Sequence, residues 1–247
     1  MALRFEGNWE SIYDTIKQRK PAKIEEVEDR LNHLPCSAVT LVDALYPESL
    51  KRIAKPPFVL FYRGDITCIQ DMNRCVSYVG SRDASPYGVK LAKELAGGVA
   101  KEGFTIVSGM AKGIDGVATE AALNNGGKAV GVLGCGIDIA YPSSHQGLYD
   151  RLVKEGLLLS EYPPGVKVVR EHFPARNRII AGLSKLTIVG QASLHSGTLL
   201  TVGNALDFGR DIACVPYHAD EESACNRMIR DGAPIVESVE DVLELLR

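Results

Sequence analysis

The sequence is poor in several things that would have assigned it quickly. It has one tryptophan and only 6% aromatic residues. It carries no apolar run of membrane length, and its first residues, with Arg4, Glu6 and Glu10, are too polar for a secretory leader. A cytoplasmic protein without a membrane partner is expected. The six cysteines (Cys36, Cys68, Cys75, Cys135, Cys214, Cys225) include no Cys-x-x-Cys pair and no histidine partner at metal-ligand spacing. They read as buried thiols of a reducing compartment, and neither a metal nor another cofactor is expected. G-x-x-x-x-G-K-[ST] is absent, which disfavours a P-loop ATPase. G-x-G-x-x-G is missing after the first strand of the central stretch, which disfavours ordinary dinucleotide binding. The net charge is −3, so a nucleic acid would have to be held by a local patch and not by the overall field. Internal repeats and low-complexity linkers are also absent.

What is present supports a sizeable core. The 247 residues are 45% hydrophobic and 24% charged, enough for one large domain or one domain with a small appendage. The most organised stretch runs from Cys75 to Leu123. Residues 75–79 form a β-rich strand ending at Gly80-Ser81-Arg82. Ser85 and Pro86 then suit the N-cap and first position of a helix. Leu91, Ala92, Leu95, Ala96 and Val99 make one apolar stripe along it. Residues 104–107 form a second strand, which runs into Ser108-Gly109-Met110-Ala111-Lys112-Gly113-Ile114-Asp115 and an Ala-rich helix. Two strands thus end in Gly/Ser loops, each with one cation and each feeding a helix N-terminus. In a parallel sheet both loops lie at the carboxyl edge, where such sheets bind ligands, and their amides and cations suit phosphate.

The rest of the chain continues the alternation. Residues 1–34 read as helical, with Trp9, Ile12, Tyr13 and Ile16 on one face and a charged run from Glu25 to Arg30. Residues 1–37 are therefore taken as an N-terminal helical appendage and 38–247 as the core. Strands are expected at 39–42, at 58–62 (an apolar run suited to burial on both faces), and at 129–133, 157–160, 186–189 and 212–215. Helices are expected from about His145 to Glu155, after Ser196-Gly197-Thr198, and around Cys225–Arg230 and Val239–Leu246. The fold class is α/β, a doubly wound, mostly parallel sheet with right-handed crossovers.

Phe173-Pro174-Ala175-Arg176-Asn177-Arg178 is read as a loop. Two guanidiniums and an amide within three residues are costly to order unless they meet anions or carboxylates. Internal pairing of Arg176 or Arg178 with Glu161 or Asp207 is the alternative to a ligand role. Asp115 suits a helix cap as well as it suits a ligand contact. His145, His172 and His195 lack a matching nucleophile and read as structural or minor contacts. Ser196-Gly197-Thr198 is either a small anion nest or a cap. Tyr141 and Phe173 offer stacking faces or core aromatics.

With these residues in hand, about residues 38–236 resemble the DNA-processing protein A (DprA/Smf) family. The likeness rests on Tyr46-Pro47, Pro57-Phe58-Val59-Leu60-Phe61, Gly80-Ser81-Arg82, Ser108–Asp115, Gly134-Cys135-Gly136, Tyr141-Pro142, Ser160-Glu161-Tyr162, Phe173–Ile180 and Ser196-Gly197-Thr198. The resemblance implies an extended Rossmann-like core that binds single-stranded DNA, forms a homodimer and helps load a RecA-type recombinase in natural transformation. It further implies a phosphate pocket of Gly80, Ser81, Arg82, Ser108, Gly109, Lys112 and Gly113, with Arg176, Asn177 and Arg178 beside it. Tyr141, His145, Phe173, Ser196, Gly197 and Thr198 are further contacts. The chain departs from the family pattern at three positions: Thr119 stands where His is usual, Gln191 where an acid is usual, and Tyr217 where Gly commonly follows Pro216. A full N-terminal helix-hairpin domain and a C-terminal winged helix are not expected.

The leading expectation is a binder and not an enzyme. The rival is a nucleotide phosphoribohydrolase, whose related family carries a Pro-Gly-Gly-x-Gly-Thr loop near a catalytic Glu. Here the corresponding residues are 192–198, preceded by Gln191, so the acid is missing. A sensor of a small nucleotide, using the same pocket, is a third class. A dimer is expected from Met228, Ile229, Ile235, Val236, Val239 and Leu243, more apolar surface than a small terminal helix pair must bury.

Overall fold

The computed structural model describes residues 9–18 and 23–247. Two helices, α1 (Trp9–Lys17) and α2 (Ile24–Asn32), precede the first strand. On α1, Ile12 is buried and Tyr13 is exposed; the side chains of Trp9, Ile16 and Arg30 lie outside the described residues.

Eight strands form one sheet: β1 (Ser37–Thr40), β2 (Val59–Gly64), β3 (Cys75–Gly80), β4 (Thr105–Ser108), β5 (Lys128–Leu133), β6 (Leu157–Ser160), β7 (Leu186–Gln191) and β8 (Asp211–Cys214). Their order is β1-β2-β6-β5-β4-β3-β7-β8. From β6 to β8 every pairing is parallel, whereas β2 runs antiparallel to β6 and β1 antiparallel to β2. The expected parallel sheet is therefore extended by an antiparallel pair.

That pair corrects two readings. Burial on both faces does not hold for β2: only Leu60 is fully buried and its neighbours are half-covered. Next to the sheet edge both faces are covered only in part: Leu60 and Tyr62 pack into one core and Phe61 against the other. β1 ends at Thr40 and not at Val42. Asp43 turns the chain there by accepting from both the amide (2.7 Å) and the hydroxyl (2.9 Å) of Thr40, and it leaves Val42 exposed.

Helices cover both faces. α4 (Pro86–Lys101), α5 (Ile114–Asn124), α6 (Gln146–Glu155) and α10 (Val239–Leu246) pack on one side. On the other lie α3 (Glu48–Lys51), α7 (His172–Leu183), α8 (Thr198–Asp207) and α9 (Ala224–Arg230). The start of α4 is as its sequence requires: Ser85 accepts from the Gly88 amide (3.1 Å), Pro86 occupies the first turn, and the five-residue apolar stripe is buried. Val236, Val242 and Leu246 are buried in the core beneath α4, and Val239 packs against it. Met228 and Ile229 pack on the opposite core. Most of the apolar surface assigned to a dimer is thus consumed within the subunit, and Ile235 is the large one left exposed. Of the six thiols, four are buried and those of Cys36 and Cys68 are half-covered, which narrows the expectation for cysteine.

The strand order reverses at β3: β4, β5 and β6 succeed it on one side, β7 and β8 on the other. That reversal is the switch point of a doubly wound sheet, where two crossovers leave in opposite directions and open a crevice beyond the strand ends. A bulge in the β3–β7 pairing, between Val79 and Gly80, sharpens it locally.

Candidate functional site

Gly80-Ser81-Arg82 leaves β3 at this switch point, and Ser108 through Gly113 leaves β4 beside it. The loop after β4 turns through Met110 at φ 58° and Gly113 at φ 76°. Gly113 has no room for a side chain, since a Cβ there would run into the carbonyl oxygens of Ser81 and Arg82. Ile114 donates its amide to Ser81 O (3.1 Å), so the two loops are laced together.

The centre of this arrangement is a carboxylate. Asp115 is buried in the first turn of α5 and does not cap its own helix. It accepts from the amides of Gly80 and Gly109, each at 3.1 Å, and from that of Ala111. Facing it, Arg176 is also buried and donates to the carbonyls of Gly109 (2.7 Å) and Val132, so that it joins the ends of β4 and β5. A Cβ on Gly109 would stand 2.6 Å from an Asp115 carboxylate oxygen and 2.7 Å from an Arg176 nitrogen, which is why this position carries none. Burial pushes the Asp115 carboxyl up, and Arg176 and the three amides oppose it. Burial likewise lowers the Arg176 guanidinium to about 10, with Asp115 as the main opposing influence, so it stays charged near neutrality.

This geometry revises several expected phosphate contacts. Residues 173–178 are not a loop: α7 starts at His172, and Pro174 falls in its first turn, where a missing amide costs nothing. Arg176 is committed to two carbonyls, with the Asp115 charge as its electrostatic neighbour. Arg178 holds Glu161 through one guanidinium nitrogen, Nη2, which reaches both carboxylate oxygens at 2.8 Å, and it also donates to the carbonyls of Lys55 and Ala175. Ser108 is fully buried and donates to Tyr78 O (2.7 Å), tying β4 to β3. The amides of Gly80 and Gly109 are taken by Asp115, and that of Ser81 donates to Gln191 O (2.8 Å). At Ser196-Gly197-Thr198, the Ser196 hydroxyl donates to Thr198 Oγ1 and accepts its amide, so this loop caps itself. His145 places Nδ1 3.2 Å from Met110 O and supports the loop from outside.

What remains free is exposed and cationic. Arg82 and Lys112 are exposed, and neither forms an ion pair or hydrogen bond among the described residues. Both line a cavity of about 230 Å³ together with Met110, Leu133, Tyr141 and Phe173. Arg82 lies over the Phe173 ring (5.9 Å), whose neighbour Tyr141 is tilted against it at 5.4 Å. A larger groove, about 870 Å³, continues from Gly80–Asp83 past Phe173, Arg176 and Asn177 to Ser196, Gly197, Thr198 and Thr201. Arg170 also lines it, a cation that the sequence reading named only as part of a basic segment. Its signal was the position three residues before Phe173, in a stretch too irregular to assign a face. Among the described residues no group of three His, Cys, Asp or Glu could hold a metal, and no helix is long and apolar enough to cross a membrane.

The three departures from the family pattern are each absorbed locally. Thr119 is buried and donates to Asp115 O (2.8 Å) one turn back along α5. Gln191 accepts from the Ser85 amide (2.9 Å) at the head of α4. Tyr217 donates its hydroxyl to Gly190 O (2.7 Å) and packs edge-on against Tyr87.

Arg176→Ala is expected to destabilise the protein by about 1–3 kcal/mol, because it leaves the buried Gly109 and Val132 carbonyls without their donor and removes the cation that opposes the burial of Asp115. Arg176→Lys will recover little, since one ammonium cannot span the two carbonyls at the ends of β4 and β5. In the Ala variant desolvation acts on Asp115 without the guanidinium to oppose it, so its folded pKa lies further above the unfolded value of about 3.9. Such a group favours folding only while protonated. The deficit relative to the parent protein should therefore widen as pH rises from about 4 towards neutrality. Urea melts across that range measure it; a deficit that is small or independent of pH would refute the role given to the pair.

Residues 37–247 match the family model described as DNA recombination-mediator protein A. Over 206 residues, 83% of this chain and 72% of the relative, the sequence is 41% identical to DNA processing protein DprA of Streptococcus pneumoniae. The solved structure of the S. pneumoniae protein superposes with a TM-score of 0.83 at 38% identity, covering 90% of this chain and 78% of that one. DNA processing protein A of Helicobacter pylori, whose structure is described for its single-stranded DNA binding mode, gives 0.77 at 29% identity over 87% and 96% of the two chains. With a buried Asp115–Arg176 centre at the switch point, free cations around it and these likenesses along nearly its whole length, the chain belongs to the DNA recombination-mediator protein A family, the DprA/Smf proteins.

Proposed function

We propose that this chain is a non-enzymatic binder of single-stranded DNA that helps load a RecA-type recombinase during DNA uptake and recombination. In this reading it acts in the cytoplasm as a homodimer, with residues 38–247 as the DNA-binding core and 1–37 as an appendage. The observation that carries it is the division of cations at the switch point. Arg176 and Arg178 are spent internally, while Arg82 and Lys112 stand unpaired at the mouth of a groove, with Arg170 along it. Unpaired exposed cations at a strand-end crevice suit a polyanion whose phosphates arrive in series. Tyr141 and Phe173 add stacking faces that a base can reach only when it is not paired in a duplex. The single-stranded DNA binding described for the H. pylori relative supports the same ligand here, and the family's description as a recombination mediator supports the recombinase as partner.

The rival reading, hydrolysis of a nucleotide, needs an acid near residue 191. Gln191 holds that place, and its amide oxygen is engaged in accepting from Ser85. The dimer rests on what the fold leaves uncovered outside the groove: Leu206 on α8 and Ile235, which bridges to the end of β8, are each about half-exposed.

Arg82→Ala and Lys112→Ala should each weaken binding to all single-stranded sequences alike and make the salt dependence shallower, by about 0.7 in the log–log slope for each phosphate no longer neutralised. Their melting temperatures should stay close to the parent's, since neither side chain makes an internal ion pair or hydrogen bond and the Arg82–Phe173 contact is long and exposed. Unchanged affinity and slope in both variants would sink the phosphate reading. Incubation with nucleoside monophosphates should release no free base, and turnover abolished by Arg82→Ala would move the protein to the enzyme class. Light scattering at tens of micromolar should give twice the chain mass; a monomer mass would count against the dimer.

A further inference from the structure

The groove has one wall that carries hydrogen-bonding groups without net charge. Asn177 on α7 and Thr201 on α8 both line it, and these two helices pack against each other. Arg176 Nε donates to Asn177 Oδ1 (3.2 Å), which fixes the amide and leaves its Nδ2 donors without a partner among the described residues. Thr201 is only 2% exposed, yet its hydroxyl has no hydrogen-bond partner among the described residues. It is not among the fully enclosed polar atoms that lack a partner, so the little surface it has opens on the groove. A buried hydroxyl in the second turn of a helix ordinarily bonds back to the carbonyl four residues earlier, as Thr119 does to Asp115. Thr201 does not, and an unmade bond in a buried position is costly unless a ligand or water completes it. Ile180 and Leu200 flank these two groups with aliphatic surface.

A phosphate fits this wall poorly. The Arg176 charge is already matched by Asp115, and the amide of Thr198 at the head of α8 is taken by Ser196. Two neutral donors between aliphatic side chains suit the edge of a planar, uncharged group. We propose that Asn177 and Thr201 form a base-edge subsite that takes the carbonyl-bearing edge of a nucleobase, while Arg82 and Lys112 hold the phosphates of the same strand. Thymine, cytosine and guanine present a carbonyl oxygen to the Asn177 amide; adenine presents none. The inference rests on the single-strand reading above and adds a base preference to it. One hydrogen bond's worth of discrimination corresponds to about three- to tenfold in affinity.

The test is fluorescence anisotropy with the full chain and 15-residue oligomers of dT, dC and dA at one salt concentration. The parent should bind dT and dC about three- to tenfold more tightly than dA. Thr201→Val, which keeps the buried shape, should reduce the dA-to-dT ratio of dissociation constants by at least about threefold, and Thr201→Ser should restore it. Asn177→Asp keeps an oxygen for Arg176 Nε but removes the amide donors, and should weaken dT and dC more than dA. None of these changes should alter the salt slope beyond the one charge that Asp adds. A ratio unchanged in both Thr201→Val and Asn177→Asp, with Arg82→Ala still weakening binding, overturns the subsite and leaves the single-strand reading standing. Loss of dT, dC and dA binding in equal proportion also overturns it, because that is the signature of a wall that only supports the groove. Absence of oligonucleotide binding by the parent protein sinks both.

Discussion

The Asp115–Arg176 pair is the constraint on which the rest of the switch point depends. Three strand ends converge there, β3 through Gly80, β4 through Gly109 and β5 through Val132, and each gives a backbone group to one of these two side chains. Burying two charges costs several kcal/mol per ion, and mutual attraction alone seldom offsets it. Here the remaining bonding capacity is filled as well: three amides point at the carboxylate and two carbonyls accept from the guanidinium. The result is rigidity where two Gly-containing loops would otherwise wander. The glycines stand where packing leaves no room for a side chain: the charged pair fills the space at Gly109, the carbonyls of Ser81 and Arg82 fill it at Gly113, and the Ile114 side chain fills it at Gly80.

A consequence is that the protein carries its own anion in the nest that sequence patterns associate with phosphate. The amides of Gly80, Gly109 and Ala111 converge on Asp115 and are not available to a ligand. Under the proposed function, binding of a polyanion then falls to side chains outside the nest. That arrangement suits a strand that must be held along its length and released: exposed cations are screened by salt and make contacts that are individually weak. A deep amide nest would instead favour one terminal phosphate. With a net charge of −3 the overall field does not attract DNA, so under the proposed function the attraction is supplied locally by the groove's unmatched cations.

Much of this was legible in the sequence, and the limits have physical causes. Strand–helix alternation, the helix start at Ser85-Pro86 and the apolar stripe from Leu91 to Val99 are local properties, and the structure carries them as read. The antiparallel pair at the sheet edge was not visible, because a short apolar run looks the same whether one face or two are covered. Arg82, Arg176 and Arg178 also looked alike, each a cation near a strand end. Their fates diverge through partners distant in sequence: Gly109 and Val132 for Arg176, Glu161 and Lys55 for Arg178, and for Arg82 only the face of the Phe173 ring. Pro174 concealed the start of α7, since proline in a first helical turn and proline in a loop leave the same mark on the sequence.

The departure at Gln191 shows how a position can keep its structural task while its chemistry changes. The bulge in the β3–β7 pairing brings residue 191 opposite Gly80, where its carbonyl accepts from Ser81 and its side chain accepts from Ser85. A carboxylate there could accept the same Ser85 amide, and it would add negative charge at the head of α4, beside the loop that carries Arg82. The neutral amide makes the bond without that charge. It leaves the field around Arg82 more positive and removes the acid that cleavage of a nucleotide would require. The residue at 191 therefore keeps both of its backbone-fixing bonds while the charge on Arg82 is left unopposed from that side.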